Sequence, residues 1–166
     1  TCGCERRPQE ALRPEGAEVA EKTAPYSYVT PAPAAQPAPV PVLRSQLLDE
    51  SLPLFDRYRA LFALRDAVPE EGEDAVLALC AAFEDGNALL KHEVAFVLGQ
   101  LEHVASVPAL SAAVRSEEEH PMVRHEAAEA LGAIGTAEAT SVLRDHVSHP
   151  EDILRESCWV ALQWVE

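Results

Sequence analysis

The sequence predicts an all-α protein in which about four similar helical hairpins stack side by side as a solenoid. Hydrophobic residues make up 48% of the 166 residues and aromatic residues only 5%, and Ala- and Leu-rich segments without strand-like alternation favour helix. Leucines also recur at equivalent positions, spaced 34, 33 and 31 residues apart: Leu64, Leu98, Leu131 and Leu162. Such a period is typical of helical repeats, in which each hairpin buries its apolar face against the next.

The chain divides into a proline-rich segment and a helical domain. Residues 1–42 hold eight of the thirteen prolines, and proline at this density removes backbone donors and favours extended conformers. We therefore expect residues 1–42 to form a disordered Pro/Ala-rich linker, with a docking site for proline-binding modules as the alternative. Residues 43–166 form the predicted domain. Its helices are predicted at 43–50, 53–66, 73–84, 87–101, 104–116, 121–134, 137–147 and 152–165.

Prolines and acidic residues support several of these boundaries. Pro53 and Pro121 suit the first turn of their helices, where a backbone N–H needs no intrahelical partner. Pro150 precedes the last helix, and the acidic Glu151 and Asp152 suit the positive end of its dipole. The other boundaries are predicted where brief polar loops interrupt the amphipathic pattern.

Two glycines occupy the same position in successive repeats. Gly99 and Gly132 both fall inside predicted helices, although glycine there costs about 1 kcal/mol relative to alanine. Their recurrence predicts that the backbones of neighbouring hairpins approach closely at this position. A simple helix end at each glycine is the alternative.

The charge of the chain limits its partners. The net charge is −15, and since residues 1–42 carry four Lys or Arg against five Asp or Glu, −14 remains on the predicted domain. Such a surface repels nucleic acid and anionic lipid and attracts a cationic partner. The alternative is that the acidic residues only keep the protein soluble. No apolar run approaches the roughly 20 residues of a membrane span. We expect a cytoplasmic protein with neither nucleic-acid nor membrane partners.

A His-Glu pair recurs at the repeat period. His92-Glu93 and His125-Glu126 lie 33 residues apart, whereas the outer repeats carry Tyr58-Arg59 and Glu156-Ser157 at these positions. Packing alone does not require a titratable pair in two of four equivalent positions. Stacked helices lie about 8–10 Å apart, so imidazoles from equivalent positions can converge on one ion. Imidazole and carboxylate together suit iron, manganese or zinc, and the pattern therefore predicts a metal site.

The four candidate ligands are His92, Glu93, His125 and Glu126. Adjacent helical residues point about 100° apart, so a His and the Glu after it cannot both point straight at one ion. One glutamate is therefore expected as a ligand, while the other lies behind the ligands or meets the substrate. The zinc-protease motif is excluded, because the residue four positions after His125 is Glu129 rather than a second histidine.

A column of basic residues precedes the His-Glu position. It consists of Arg57, Lys91, Arg124 and Arg155. These side chains are expected either as solvated charges or as partners of neighbouring carboxylates.

The motifs resemble those of the deoxyhypusine hydroxylases, a family of HEAT-repeat di-iron monooxygenases. The resemblance covers about residues 43–166. It is carried by Leu-Leu-Lys-His-Glu-Val-Ala at 89–95, Val-Leu-Gly-Gln-Leu at 97–101, Pro-Met-Val-Arg-His-Glu-Ala at 121–127, Glu-Ala-Leu-Gly-Ala-Ile at 129–134 and Pro-Leu-Phe-Asp-Arg-Tyr-Arg-Ala-Leu-Phe-Ala-Leu-Arg at 53–65. General HEAT scaffolds share the helical period but not this placement of His-Glu.

The resemblance implies an iron- and O₂-dependent hydroxylation of the deoxyhypusine side chain of a translation factor. It implies Fe²⁺ ligation by His92, His125 and Glu126, with Glu93 as a further ligand or as the group that binds the substrate amine. The family has two four-repeat halves that share a di-iron centre. This chain resembles one half, and its sequence matches the C-terminal half better than the N-terminal half.

This interpretation has one consequence for activity, and two rival interpretations stand beside it. A half with four candidate ligands is expected to need the N-terminal half or a second copy for activity. The rival interpretation is a non-catalytic HEAT adaptor that binds a protein partner and retains the His-Glu pairs as relics. A bilin-lyase-type HEAT protein fits less well, because it gives no reason for paired His-Glu.

Overall fold

The computed structural model describes residues 30–165, and these residues contain eight α-helices and no strand. Residues 31–165 belong to one compact unit. The helices are α1 Val40–Leu48, α2 Leu54–Glu71, α3 Glu73–Cys80, α4 Ala88–Leu101, α5 Val107–Arg115, α6 Pro121–Ile134, α7 Ala137–His146 and α8 Asp152–Leu162. Short 3₁₀ turns, Ala81–Glu84 and Val104–Ser106, follow α3 and precede α5. The prediction of an all-α stack of four hairpins is confirmed.

Helix α2 extends further than predicted. It continues to Glu71 and includes Pro69 in its last turn. The helix ends at Gly72, whose φ of 56° lies in the left-handed region and whose N–H donates to the Val68 carbonyl at 2.8 Å. Glycine adopts this conformation without the steric cost that a side chain would bring, and therefore sets the end of the helix.

The packed body also begins before the predicted boundary at residue 43. Helix α1 starts at Val40, Ala32 is only 2% exposed, and the Ala35 N–H donates to the Arg59 carbonyl of α2 at 2.8 Å. Alanines between the prolines keep their N–H groups and have small apolar side chains, so this extended segment can pack against a helix. The prediction of a disordered segment at residues 1–29 lies outside the described residues.

The second helices of the last three hairpins, α4, α6 and α8, approach one another at the two repeated glycines. A Cβ added to Gly99 would lie 3.0 Å from Ala130 Cα, and one added to Gly132 would lie 2.7 Å from Ala161 Cβ. Neither contact leaves room for a methyl group. The predicted close approach is confirmed, and it sets the spacing of the helices that carry His-Glu.

Charged side chains join successive repeats. Three members of the basic column pair with an acidic residue about one repeat later: Arg57 with Asp85, Lys91 with Glu119 at 2.6 Å, and Arg124 with Glu151 at 2.8 Å. Arg57 and Arg124 are each only 4% exposed and donate to carbonyls of the preceding helices, Leu47 and Val114. The interpretation of the column as carboxylate partners is confirmed, and these pairs hold the register of the hairpins.

Arg155, the last member of the column, pairs within its own helix, with Asp152 at 2.7 Å.

In the described part of the chain, no helix is long and apolar enough to cross a membrane.

Candidate metal centre

The two His-Glu pairs occupy the same position in neighbouring helices. Asn87 caps α4 by accepting from the Leu90 N–H, and His120 caps α6 by accepting from the Met122 N–H. Asparagine at such a position satisfies a donor that the helix leaves unpaired. His92 is thus the fifth residue of α4 and His125 the fifth of α6. Because the two helices start alike, the two pairs lie at the same position along their helix axes.

The pair His92 and Glu126 links α4 to α6. His92 Nε2 lies 3.1 Å from Glu126 Oε2, and Glu126 is 8% exposed. Metal bonds of about 2.0–2.2 Å to imidazole and carboxylate place two ligands of one ion about 3.0–3.5 Å apart. The separation therefore suits either a hydrogen bond with a proton on Nε2 or joint binding of one ion.

His125 is held by contacts on both sides of its ring. Its Nδ1 lies 2.7 Å from the Ser157 hydroxyl of α8, and its Nε2 lies 3.7 Å from Glu129 Oε1 one turn along α6. Ser157 in turn donates its hydroxyl proton to the Ile153 carbonyl at 2.6 Å. One edge of the ring is therefore tied to α8, while the other faces carboxylates.

The structure brings together a set of ligand atoms suited to a divalent cation. His125, Glu126 and Glu129 each offer one such atom within 4.8 Å of the others. Lone pairs of imidazole nitrogen and carboxylate oxygen that face one another repel unless a proton or a metal ion lies between them. His92 lies outside this group and contacts it through Glu126. Imidazole nitrogen and hard carboxylate oxygens are the donor types that iron, manganese and zinc accept. The residues present fit a metal ion of this kind.

His92 adds a further observation that fits a cation. Its Nδ1 is buried and has no hydrogen-bond partner among the described residues. The pKa of His92 is raised, mainly because the hydrogen bond to Glu126 stabilises the protonated ring, although burial opposes this. In the metal-free chain, the contact with Glu126 therefore favours a proton on His92 Nε2, the nitrogen that faces the carboxylate.

Glu93 lies on the same turn but in a different environment. The pKa of its carboxyl is raised, first by burial, and the charge of Glu126 adds to the effect while His92 and Arg65 oppose it. Its charged form is therefore costly in the folded chain. Glu93 is not part of the group formed by His125, Glu126 and Glu129, so the two glutamates that follow the histidines are not equivalent.

Two residues of this site were not among the sequence-predicted candidates, Glu129 and Ser157. Glu129 lies four residues after His125, and side chains at this spacing share one helix face. That spacing was a usable signal for a ligand. Ser157 occupies the repeat position of Glu126 in the last hairpin, but nothing in its residue type indicates a contact with His125.

A groove of about 540 Å³ opens beside these side chains. The carboxylates of Glu102, Glu126 and Glu129 line it together with Phe96 and Trp164. Acidic groups next to aromatic rings form a favourable environment for an ammonium group carried on an aliphatic chain.

Comparison with known proteins agrees with this architecture. A family model described as HEAT repeats matches residues 76–163. The chain is 51% identical over its full length to the deoxyhypusine hydroxylase of Bos taurus and also to that of Homo sapiens, and it covers 54% and 53% of these proteins. The chain thus spans about half the length of the curated relatives it matches.

A solved structure, human deoxyhypusine hydroxylase in complex with glycerol, is also similar. It matches with a TM-score of 0.82 and 52% identity, over 87% of this chain and 49% of that one. The resemblance seen in the motifs is confirmed. Since the family model spans more than half of its residues, the chain belongs to the HEAT-repeat family, with deoxyhypusine hydroxylases among its similar relatives.

Proposed function

We propose that the chain is the C-terminal half of an iron- and O₂-dependent deoxyhypusine hydroxylase, which hydroxylates the deoxyhypusine side chain of a translation factor. The observation that carries the proposal is the group of His125, Glu126 and Glu129 on α6, with His92 of α4 in contact with Glu126. Relatives named deoxyhypusine hydroxylase at 51% identity support it. The other half, or a second copy of this chain, would complete a di-iron centre.

In this proposal His92, His125 and Glu126 hold one ferrous ion, and Glu129 is added as a fourth candidate ligand. Bound iron supplies the capacity to activate O₂ for attack on a C–H bond. The protein's own groups bind and orient. Glu126 offers a buried carboxylate to the ion, and His125 offers Nε2 from a ring that Ser157 steadies.

The substrate is proposed to enter along the groove beside the site. A deoxyhypusine side chain carries ammonium groups on an aliphatic chain, which suits the carboxylates and aromatic rings of the groove. Glu93 is the proposed partner of a substrate amine, because an incoming cation would stabilise a carboxylate whose charge is costly in the folded chain. The net charge of −15 favours encounter with a cationic segment. A cytoplasmic location follows from a translation factor as substrate.

A second function is supported by the exposed apolar side chains of one segment. Helix α8 and the turn after it expose Ile153 at 54%, Trp159 at 61% and Trp164 at 83%. Large exposed apolar side chains on one segment are typical of contact surfaces between proteins. A non-catalytic HEAT adaptor would use such side chains and would need no metal, so metal binding separates the two candidates.

The test is native mass measurement after anaerobic loading of the full chain with ferrous iron, which reports iron and chain count together. We expect one iron per chain in the wild type and none in the double variant His92→Ala, His125→Ala. His103→Asn is the matched control, because His103 caps the turn after α4 by accepting from the Ala105 N–H and asparagine preserves a capping acceptor. A folded wild type without iron, or equal iron in the double variant, would favour the adaptor.

A further inference from the structure

The hydroxyl of Ser157 has a fixed hydrogen-bond direction. It lies 2.6 Å from the Ile153 carbonyl oxygen and 2.7 Å from His125 Nδ1. A carbonyl oxygen can only accept, so two oxygens this close need a proton between them, and the serine has only one to give. Ser157 therefore accepts from His125, and Nδ1 carries the hydrogen.

The opposite ring nitrogen is then bare. In the neutral imidazole, a proton on Nδ1 leaves a lone pair on Nε2. The other tautomer would place an N–H on Nε2, whose distance of 3.7 Å from Glu129 Oε1 is too long for a hydrogen bond. The Ser157 contact thus decides the tautomer, and no hydrogen bond from Nε2 to Glu129 opposes it.

His92 provides the contrast within the same site. Its Nε2 lies at hydrogen-bond distance from Glu126, and its buried Nδ1 has no partner among the described residues. Ser157 and Glu126 occupy equivalent positions of successive repeats. The same repeat position therefore supplies a carboxylate to one histidine and a hydroxyl to the next.

We propose that Ser157 is a positioning residue that holds His125 in the Nδ1–H tautomer and so presents Nε2 to a divalent cation. The proposal rests on the proposed metal-binding function. Groups that orient a ligating histidine typically change metal affinity by about 10–100-fold when they are removed. In this chain the orienting group comes from α8, so the last hairpin contributes to the site without providing a ligand.

The first test reads the tautomer in the metal-free chain. Long-range ¹H–¹⁵N correlation spectra of the full chain are recorded with rising pH until the His125 signals stop moving. The signals are assigned by their loss in His125→Gln. We expect the Nδ1–H pattern in the wild type and in Ser157→Thr, and a mixed or Nε2–H pattern in Ser157→Ala. The Nε2–H tautomer in the wild type, or an unchanged tautomer in Ser157→Ala, would overturn the proposal.

The second test titrates ferrous ion alone under anaerobic conditions. Ser157→Ala is expected to bind about 10-fold more weakly or worse, and Ser157→Thr is expected to retain affinity. Ser111→Ala is the matched control, because it removes a buried hydroxyl that has no hydrogen-bond partner among the described residues. Equal affinity in Ser157→Ala and Ser111→Ala would overturn the proposal. Absence of binding in a wild type with the expected tautomer would overturn the metal function itself.

Discussion

At the scale of residues, the contact between His92 and Glu126 decides the chemistry of the metal-free site. The two side chains belong to different helices and lie 3.1 Å apart. A proton on His92 stabilises this pair, and a metal ion would have to replace that proton. Protons and metal ions therefore compete for the same nitrogen, and metal binding should strengthen as pH rises.

This competition gives a pH prediction for stability. The folded-state pKa of His92 is raised above 6.5, so the stabilisation is fully present below about pH 6.5 and is lost as pH rises through the folded value. We expect the free energy of unfolding of the metal-free wild type, measured with urea, to fall as the pH rises above about 6.5, relative to that of His92→Gln. His103→Asn should follow the wild type. Parallel curves for the wild type and His92→Gln would contradict the prediction.

At the scale of elements, close helix contacts and buried charge pairs set the position of α6 between its neighbours. Gly132 contacts Ala161 of α8 and Gly99 contacts Ala130 of α6. Arg124 joins α6 to the end of α5 and to the residue before α8. The residues that bind α6 in place are thus separate from the proposed ligands, and each can be tested alone.

Replacing Gly132 by alanine should destabilise the chain. The new Cβ would lie 2.7 Å from Ala161 Cβ and 2.9 Å from its carbonyl oxygen, so α6 and α8 must separate. We expect a loss of about 1–3 kcal/mol, although alanine is the better helix former. Gly86→Ala, which meets nothing within 4 Å, should be neutral or slightly stabilising in the same thermal unfolding experiment. A neutral Gly132→Ala would mean that the helices can separate freely.

Removing the Arg124 charge should also be costly. Its guanidinium donates to the Val114 carbonyl and pairs with Glu151 while almost fully buried. Loss of one partner leaves the other groups without compensation, and we expect Arg124→Met to destabilise by about 3 kcal/mol. Arg155→Met is the control, because its partner Asp152 is exposed and such pairs contribute about 0–1 kcal/mol. Similar urea midpoints for both variants would contradict this difference.

At the scale of the whole molecule, the chain is a stack of hairpins with a proposed half-site. It spans about half of each relative, 54% and 53% in the two mammalian enzymes compared. Each repeat of a solenoid contacts mainly its neighbours, so a four-hairpin stack can fold as one unit. Hydroxylase activity is expected to need two such units, because the proposed centre takes ligands from both.

The chain alone, as a strict monomer, is expected to lack hydroxylase activity. Activity should appear when the chain is mixed with a second chain that supplies the remaining half of the human relative. The assay follows hydroxylation of a deoxyhypusine-bearing translation factor with ferrous iron and O₂. The double variant His92→Ala, His125→Ala should stay inactive in the mixture. Hydroxylation by the monomer would refute the need for a second half.

The sequence by itself determined the hairpin stack and the recurrence of His-Glu on neighbouring helices, and it predicted the close approach at Gly99 and Gly132 with a helix end as the alternative. These features follow from local periodicity and from repetition, both of which are visible along the chain. Only the tertiary structure decided which side chains meet. It brought Glu126 to His92, Ser157 to His125, and Ala32 into the core. Those contacts depend on how the helices approach and on the direction of each side chain, which adjacent residues change by about 100°.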